Sequence, residues 1–388
     1  MAKYFIDGFK AKGGNHCQTT ALRDVFSSKG LDIEEDILFG LGGGLGFIYW
    51  YVKSMPSPFI GGRTGGKDEL FIRNACKRIG ANSELFQTSS SKNAYQKLIN
   101  ILSNGSAAYT FVDMAYLPYL ALPNNAHFGG HTIAVFGVNE ENNLAYVADR
   151  SKREFEIKLS DLNNARSSKY PPFPAKNKLL DIEFPDEIYI NEISITNSIK
   201  ECCDNMIHTP IKNIGLEGIK KWAQIVTKWP ESFKGINLFG CLFNTFIYLE
   251  IGGTGGGAFR PMYSRFLNKA SKISSLSLKE SSNDFCELGK IWSEVAYCAL
   301  PDWWPEFKEV REIMIKKNKF FEDGTDYDPI NIMETNSIMD EIIKNACQKM
   351  KPEEMNQLLS DLKDKIVLCY EKESEAFNKL KMIVEEYK

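Results

Sequence analysis

Several features that mark whole classes of protein are scarce in this sequence of 388 residues. Charge of one sign is not in excess, because 47 basic and 50 acidic residues give a formal net charge of −3. Nucleic-acid-binding domains normally carry a clustered basic excess. We therefore expect no nucleic-acid partner.

Long apolar runs are also missing. The longest uncharged apolar stretch, residues 236–249, contains two asparagines and a threonine and is too short and polar to span a bilayer comfortably. The first residues are typical of a strand and a turn, without the basic region and apolar run of a secretory signal. We expect a cytoplasmic protein that does not bind membranes.

Paired cysteines are a third absence. The nine cysteines are odd in number and mostly scattered, and they lack the spacing of a zinc site. Cys202 and Cys203 are adjacent, and neighbouring cysteines rarely form a bridge or a metal site. We expect reduced thiols, with no metal ion.

The composition that remains is that of an ordinary globular protein, 43% hydrophobic and 25% charged, and the length allows one large domain or two ordinary ones. Residues 1–190 combine glycine turns with strand patterns, whereas residues 191–388 show mostly helical spacing. A proline-rich segment at 169–178 is the best candidate for a connector. The sequence predicts an α+β fold, with an antiparallel sheet in a domain over 1–190 and a helical domain over 191–388.

A cysteine at the start of a predicted helix is the first candidate site residue. Cys17 follows Gly13-Gly14-Asn15-His16 and precedes a run with apolar residues on one helical face. A thiol there faces unpaired backbone N–H groups and the positive end of the helix dipole, which favour the thiolate. The same N–H groups can hold a developing oxyanion. The alternative for this residue alone is a buried structural thiol.

A histidine and an aspartate on neighbouring predicted strands are its candidate partners. His131 follows Gly129-Gly130 and opens one strand, and Asp149 closes the next. On adjacent antiparallel strands the two side chains can lie side by side. In acyl transfer a thiolate attacks a carbonyl, an imidazole moves protons and a third group orients the imidazole. We predict Cys17, His131 and Asp149 as a catalytic triad.

The other three histidines leave few alternatives to this assignment. His127 lies in a predicted loop and is either exposed or substrate-facing, and His208 precedes a Thr-Pro pair and is interpreted as structural. His16 adjoins the predicted nucleophile, so it either contributes to the oxyanion site and tunes the thiolate or has a packing role.

Two glycine-rich segments and an aromatic loop supply candidate substrate contacts. The run 40–47 is either a tight turn where backbone packs on backbone or a loop that lines substrate. Arg260 beside the second glycine run could hold a phosphate, a carboxylate or a helix terminus, or form an ion pair at a domain interface. The predicted substrate-binding residues are Gly43, Gly44, Arg63, Tyr116, Gly256 and Arg260.

These motifs together resemble a known family. The segments 15–19, 38–47, 62–63 and 130–132 resemble the N-terminal domain of the butirosin-pathway acyltransferase family, and 252–267 looks like the signature of the accompanying helical domain. The resemblance covers nearly the whole chain. It implies a papain-like cysteine-protease fold in which the helical domain completes a substrate channel. The amide synthetase of closthioamide assembly is similar in functional type.

The resemblance implies that Cys17 takes an acyl group from the phosphopantetheine thioester of a carrier protein, with no resident cofactor. His131 would deprotonate the thiol and an incoming small amine, and Asp149 would orient His131. A cysteine peptidase or amidase using the same triad with water is the alternative. A binding protein that retains an inactive triad is a third possibility.

One departure from papain-like enzymes bears on this choice. Those enzymes usually place a glutamine a few residues before the nucleophile as an oxyanion donor, and residues 10–14 contain none. The second donor must then be a backbone N–H, Asn15 or a residue from elsewhere. Loss of one donor typically costs ~10²–10³ in turnover, and an activated thioester tolerates it better than an amide does. The departure favours a transferase over a protease.

Overall fold

An antiparallel sheet and a larger set of helices make up the computed structural model, which describes residues 3–53, 55–63, 68–123, 125–324 and 329–386. The chain forms two units, each assembled from three segments. Unit 1 comprises Met1–Leu38, Asp68–Tyr189 and Lys317–Asn336, and unit 2 comprises Phe39–Lys67, Ile190–Lys316 and Ser337–Lys388. The chain passes between the units near residue 190, where the sequence predicts a boundary, and at four further points.

Unit 1 is built on an antiparallel sheet of seven strands. Six of them follow the order β4-β9-β5-β6-β7-β8, and the seventh, β1, pairs with the C-terminal end of β6. The separate pair β2 and β3 belongs to unit 2. The strands are β1 Lys3–Phe5, β2 Ile48–Trp50, β3 Phe59–Gly61, β4 Asn82–Phe86, β5 Ala108–Val112, β6 His131–Asn139, β7 Leu144–Ala148, β8 Glu154–Lys158 and β9 Leu179–Glu183.

Helices account for most of the remaining described chain. The expected α+β class, with an antiparallel sheet in the N-terminal region and a mostly helical C-terminal part, is confirmed. The helices are α1 Cys17–Ser27, α2 Glu35–Leu41, α3 Asp68–Arg78, α4 Ser91–Ser103, α5 Leu159–Ser167, α6 Glu192–Ile207, α7 Gly215–Ile225, α8 Trp229–Ser232, α9 Ile236–Phe246, α10 Arg260–Ile273, α11 Lys279–Ala299, α12 Pro305–Asp323, α13 Pro329–Lys349 and α14 Pro352–Glu386.

The packing of α1 on the sheet determines where Cys17 lies. Ala21, Leu22, Val25 and Phe26 recur at helical spacing, are almost fully buried and turn α1 onto β5 and β6. Strand β6 is buried along its whole length, so its residues are covered on both faces. Burial of each large apolar side chain contributes about 1.5–3 kcal/mol, which fixes the first residue of α1 beside the first residue of β6.

Unit 2 has a helical core in which α11 packs against α10 and α14. Aromatic rings fill its centre: Phe47 stacks at 6.0 Å on Trp222 and at 5.6 Å on Trp292. Within the described parts of the chain, no helix combines the length and apolar character that crossing a membrane requires.

Candidate active site

Cys17 is the first residue of α1 and lies at the end of a loop that is fixed by hydrogen bonds. His16 is the N-cap in an extended conformation, and its side chain does not cap the helix. Glu35 of α2 instead holds the residues before the helix, because its carboxylate accepts the backbone N–H groups of His16 at 2.8 Å and Asn15 at 3.1 Å. It also accepts the hydroxyl of Thr20 at 2.9 Å. The loop therefore has one defined path into the helix.

The two glycines before this loop allow it to approach the end of β7 closely. The N–H of Gly14 donates to the carbonyl of Arg150 at 2.7 Å. Gly13 has a φ of +63°, and a Cβ there would lie 2.9 Å from the backbone nitrogen of Lys152. A residue with a side chain would therefore push the nucleophile loop away from Asp149.

The structure brings the three predicted triad residues together within unit 1. His131 opens β6, Asp149 follows β7, and these strands pair directly. The His131 ring nitrogen Nε2 lies 2.7 Å from Asp149 Oδ2. Cys17 lies near enough to the same imidazole for each group to shift the pKa of the other, and since Nε2 faces Asp149, the nitrogen left for the sulfur is Nδ1. Cys17 is partly exposed, whereas His131 and Asp149 are buried.

The charges of these groups favour an ion pair of thiolate and imidazolium. Burial by itself raises the pKa of Cys17, but the hydrogen bond and charge of His131, aided by Arg150, bring it below its ordinary value. Burial by itself lowers the pKa of His131, but the charge of Asp149 and its hydrogen bond raise it to about 10. Burial also opposes ionisation of Asp149, yet His131 holds the pKa of that carboxyl below its usual value.

Two further residues hold Asp149 in place. The hydroxyl of Tyr119 donates to Asp149 Oδ2 at 3.0 Å, and the backbone N–H of Arg150 donates to Oδ1 at 2.7 Å. Both oxygens of the carboxylate are thus engaged. No sequence motif predicts this role for Tyr119, and the only signal in the sequence is its place in the aromatic loop that precedes β6.

Candidate oxyanion donors lie at the start of α1. The backbone N–H groups of Asn15 and His16 are taken by Glu35. Among the described residues, neither the N–H of Cys17 nor the side-chain amide of Asn15 makes a hydrogen bond, so both can serve as donors. The His16 ring lies 3.1 Å from the hydroxyl of Thr19 and edge-on to Phe71, which favours the packing role over the oxyanion role.

Comparison with protein families places these residues in a known context. Residues 16–150 match the family model described as butirosin biosynthesis protein H, N-terminal. This part of the chain, about a third of its length, is therefore similar to that N-terminal domain. Residues 160–302 match a second model, a domain of unknown function (DUF4872), and the two matches confirm the predicted family. A comparison with curated proteins found no significant match.

The butirosin biosynthesis protein H match contains the three predicted triad residues and also the first glycine-rich segment, which lies in unit 2. A Cβ on Gly44 would lie 2.5 Å from the ring of Tyr263, and one on Gly40 would lie 2.0 Å from the ring of Phe266. The segment is thus a turn packed under two aromatic rings of α10. This geometry favours the structural interpretation for Gly44, while Gly43, with its φ of +105°, stays a predicted substrate contact.

Arg260 is not available for a ligand, contrary to the predicted binding role. Its side chain is fully buried, and Nε lies 2.6 Å from Glu373 Oε1. Its other nitrogens donate to the carbonyls of Gly62, Ala258 and Gly46 at 3.1, 2.7 and 3.3 Å. A guanidinium with these partners stabilises the interior of unit 2, so Arg260 forms an ion pair, but within one unit and not at the predicted domain interface.

The positions of Tyr116, Arg63 and Gly256 neither support nor contradict the substrate contacts predicted for them. Tyr116 is partly exposed in a short 3₁₀ turn, where its ring lies 5.7 Å from the ring of His127. The Arg63 guanidinium lies 6.0 Å from the ring of Phe39 in unit 2. Gly256 is also in unit 2, and its N–H donates to Thr254 at 3.1 Å. Their binding roles stay predictions.

A second histidine–aspartate pair lies in the loop before β6. His127 Nδ1 lies 2.9 Å from Asp113 Oδ2, and the buried Asp113 carboxylate also accepts the hydroxyl of Ser168 at 2.5 Å and the N–H of Phe128 at 3.0 Å. This pair ties both ends of the loop together and explains His127 as a structural residue. In the part of the chain that the structure describes, no group of three or more His, Cys, Asp or Glu is placed to hold a metal ion.

Proposed function

We propose that the protein is a cysteine-dependent acyltransferase of natural-product biosynthesis that forms an amide bond through an acyl-Cys17 intermediate. The observation that carries the proposal is the 2.7 Å contact of His131 with Asp149 in unit 1, next to Cys17, whose pKa the same imidazole lowers. The butirosin biosynthesis protein H family supports an acyltransferase role. The donor is a carrier-protein thioester and the acceptor is a small amine.

In the first half-reaction the Cys17 thiolate attacks the thioester carbonyl to form a tetrahedral oxyanion. The N–H of Cys17 is placed to donate to that oxyanion, and Asn15 is the candidate second donor. Collapse of the intermediate breaks the bond to the pantetheine sulfur, which takes a proton from the His131 imidazolium. The products are acyl-Cys17, neutral His131 and a free carrier thiol.

In the second half-reaction an amine attacks the acyl-Cys17 carbonyl. Neutral His131 accepts the proton that the amine nitrogen loses, and the Cys17 thiolate leaves as the amide forms. The thiolate–imidazolium pair is then restored. Asp149 keeps Nε2 of the imidazole engaged throughout, so that Nδ1 always faces the sulfur and the acyl carbon.

The test is an intact-mass measurement after incubation with an acyl-carrier thioester. We expect the mass of one acyl group on the protein, mapped to the peptide that contains Cys17. Cys17→Ala should carry no adduct, and Cys76→Ala, which removes a buried thiol elsewhere in unit 1, should retain it. An adduct on another residue, or none, would refute the assignment of the nucleophile.

A second incubation separates transfer from hydrolysis. Protein and thioester are combined with and without a primary amine, and the products are quantified. We expect amide as the main product whenever amine is present. Free acid as the dominant product in both mixtures would instead support a cysteine amidase with the same triad.

A further inference from the structure

The C-terminal end of helix α12, residues 317–324, lies in unit 1 and contacts the residue that follows Asp149. We call this segment the α12 end. Arg150 Nη1 lies 3.1 Å from Glu322 Oε1 and 3.3 Å from the carbonyl oxygen of Asn15, two residues before Cys17. Its guanidinium also lies 5.3 Å from the centre of the Phe321 ring. Arg150 therefore joins the α12 end to the nucleophile loop.

The α12 end also contacts the other residue that holds Asp149. The ring of Tyr119 stacks on Phe155 at 4.0 Å and is parallel to Phe321 at 6.4 Å, with interplanar angles of 10° and 8°. Phe321 is only 6% exposed, so its ring is buried beside these two rings. The tyrosine whose hydroxyl reaches Asp149 is thus packed against the same helix end that binds Arg150.

Backbone contacts fix the α12 end against the turn after Asp149. The N–H of Lys152 donates to the carbonyl of Glu322 at 2.9 Å. Gly324 has a φ of +69°, and a Cβ there would lie 2.9 Å from the backbone nitrogen of Arg153. A contact this close needs glycine, which indicates that the position of the helix end is specified rather than incidental.

We propose that Glu322 is a positioning residue of the active site, which holds the Arg150 guanidinium against the carbonyl of Asn15. The α12 end lies outside both family matches, 16–150 and 160–302, so this support comes from a part of the chain that neither matched domain includes. The inference rests on the proposed function, in which Cys17 is the nucleophile.

The Arg150–Glu322 ion pair is more buried than an ordinary surface pair. The side chain of Arg150 is only 11% exposed and that of Glu322 is 30% exposed. Exposed pairs often contribute little because water screens them. Arg150, in contrast, is close enough to the site for its charge to favour the Cys17 thiolate. Release of the Arg150 side chain would therefore raise the pKa of Cys17 as well as break the contact with Glu322.

The experiment measures the alkylation rate of Cys17 by iodoacetamide between pH 5 and 9 in the full-length protein, read from the mass of the peptide that contains Cys17. Glu322→Ala removes the acceptor, so Arg150 is released and alkylation below neutral pH should slow by about threefold, with the profile displaced to higher pH. Glu322→Gln keeps an oxygen for Arg150 and removes the opposing charge. It should react at the wild-type rate or faster.

Asp323→Ala is the matched control. Asp323 lies on the same helix end as Glu322 and pairs at 2.9 Å with Lys152, and both side chains of this pair are more than a third exposed. Its alkylation profile should coincide with that of the wild type. If Glu322→Ala does not fold, Glu322→Asp, which keeps the charge but is one methylene shorter, must still slow alkylation.

A wild-type pH profile in the folded Glu322→Ala or Glu322→Asp variant would overturn the proposal. Slowing of equal size in Asp323→Ala would also overturn it, because general loosening of the helix end would then explain the effect. The assay uses no acyl donor. A displaced alkylation profile together with no acyl transfer by the wild type would therefore refute the proposed function and leave the positioning role intact.

Discussion

The buried ion pair of unit 2 gives the sharpest prediction, because it decides between a structural and a ligand-binding role for Arg260. Both side chains of the Arg260–Glu373 pair are fully buried. Glu373 Oε1 accepts Arg260 Nε at 2.6 Å and Trp292 Nε1 at 2.6 Å, and the guanidinium lies 4.8 Å from the Trp292 ring. Glu373→Gln keeps the shape of this acceptor and removes its charge.

The expected cost follows from leaving a buried cation without its counter-charge. Removing one partner of a buried pair typically costs about 3–5 kcal/mol. The amide of Glu373→Gln still offers an oxygen to Arg260 and Trp292, so we expect the lower end, about 3 kcal/mol. For a unit of this size, about 2–4 °C per kcal/mol predicts a Tm lower by about 6–12 °C.

Tryptophan fluorescence during urea denaturation can follow unit 2 selectively. All six tryptophans of the chain lie in the segments of that unit. Glu294→Gln is the matched control, since Glu294 pairs at 2.6 Å with Lys365 and both side chains are largely exposed. Its free energy of unfolding should stay within about 0.5 kcal/mol of the wild-type value.

A double replacement by apolar residues tests the same reasoning from the other side. Arg260→Met combined with Glu373→Leu removes both charges, and the free energy of unfolding should fall by less than the sum of the two single replacements. Wild-type stability in Glu373→Gln, together with a higher KM and unchanged stability in Arg260→Lys, would refute the structural role and support the ligand-binding one.

Three further predictions concern unit 1. Alkylation of Cys17 should be fast on the alkaline side of its lowered pKa and should slow as pH falls through that pKa, because the thiol is then protonated. A midpoint at or above the ordinary thiol pKa of 9.0 would contradict the ion pair with His131. Tyr119→Phe removes a donor to Asp149, and kcat of acyl transfer should fall by about tenfold while the protein stays folded, as judged by circular dichroism. Burial raises the pKa of Asp24 to about 7, above the ordinary 3.8. The free energy of unfolding should therefore fall as pH rises between these values, by about 4 kcal/mol at most. Asp24→Asn should abolish this fall in urea titrations at pH 5 and 8.

The positions of Cys17, His131 and Asp149, the proposed triad, were predictable because each lies where one local pattern changes to another. Cys17 follows a glycine pair and begins an amphipathic helix, and His131 opens a strand of buried residues. Such boundaries can be seen in a sequence without knowledge of the tertiary fold. The pairing of β6 with β7, which brings His131 to Asp149, follows from the short turn between these strands.

The support around Asp149 could not be predicted in the same way. Glu322 contacts Arg150 across 172 positions of the chain, and the contact depends on where α12 ends relative to the sheet. No local pattern encodes such a distance. The two interpretations of the segment 40–47 could not be separated for a different reason, because a glycine that admits an aromatic ring, as Gly40 admits Phe266, has the same sequence signature as one that admits a substrate.

Glu35 limits the number of oxyanion donors near Cys17, which the proposed triad alone does not determine. The Glu35 carboxylate accepts the N–H groups of Asn15 and His16, so these two groups do not serve an oxyanion. A site with few oxyanion donors stabilises the intermediate from an amide poorly but suffices for a thioester, whose carbonyl is already activated. Glu35 therefore favours a thioester as the acyl donor of the proposed reaction.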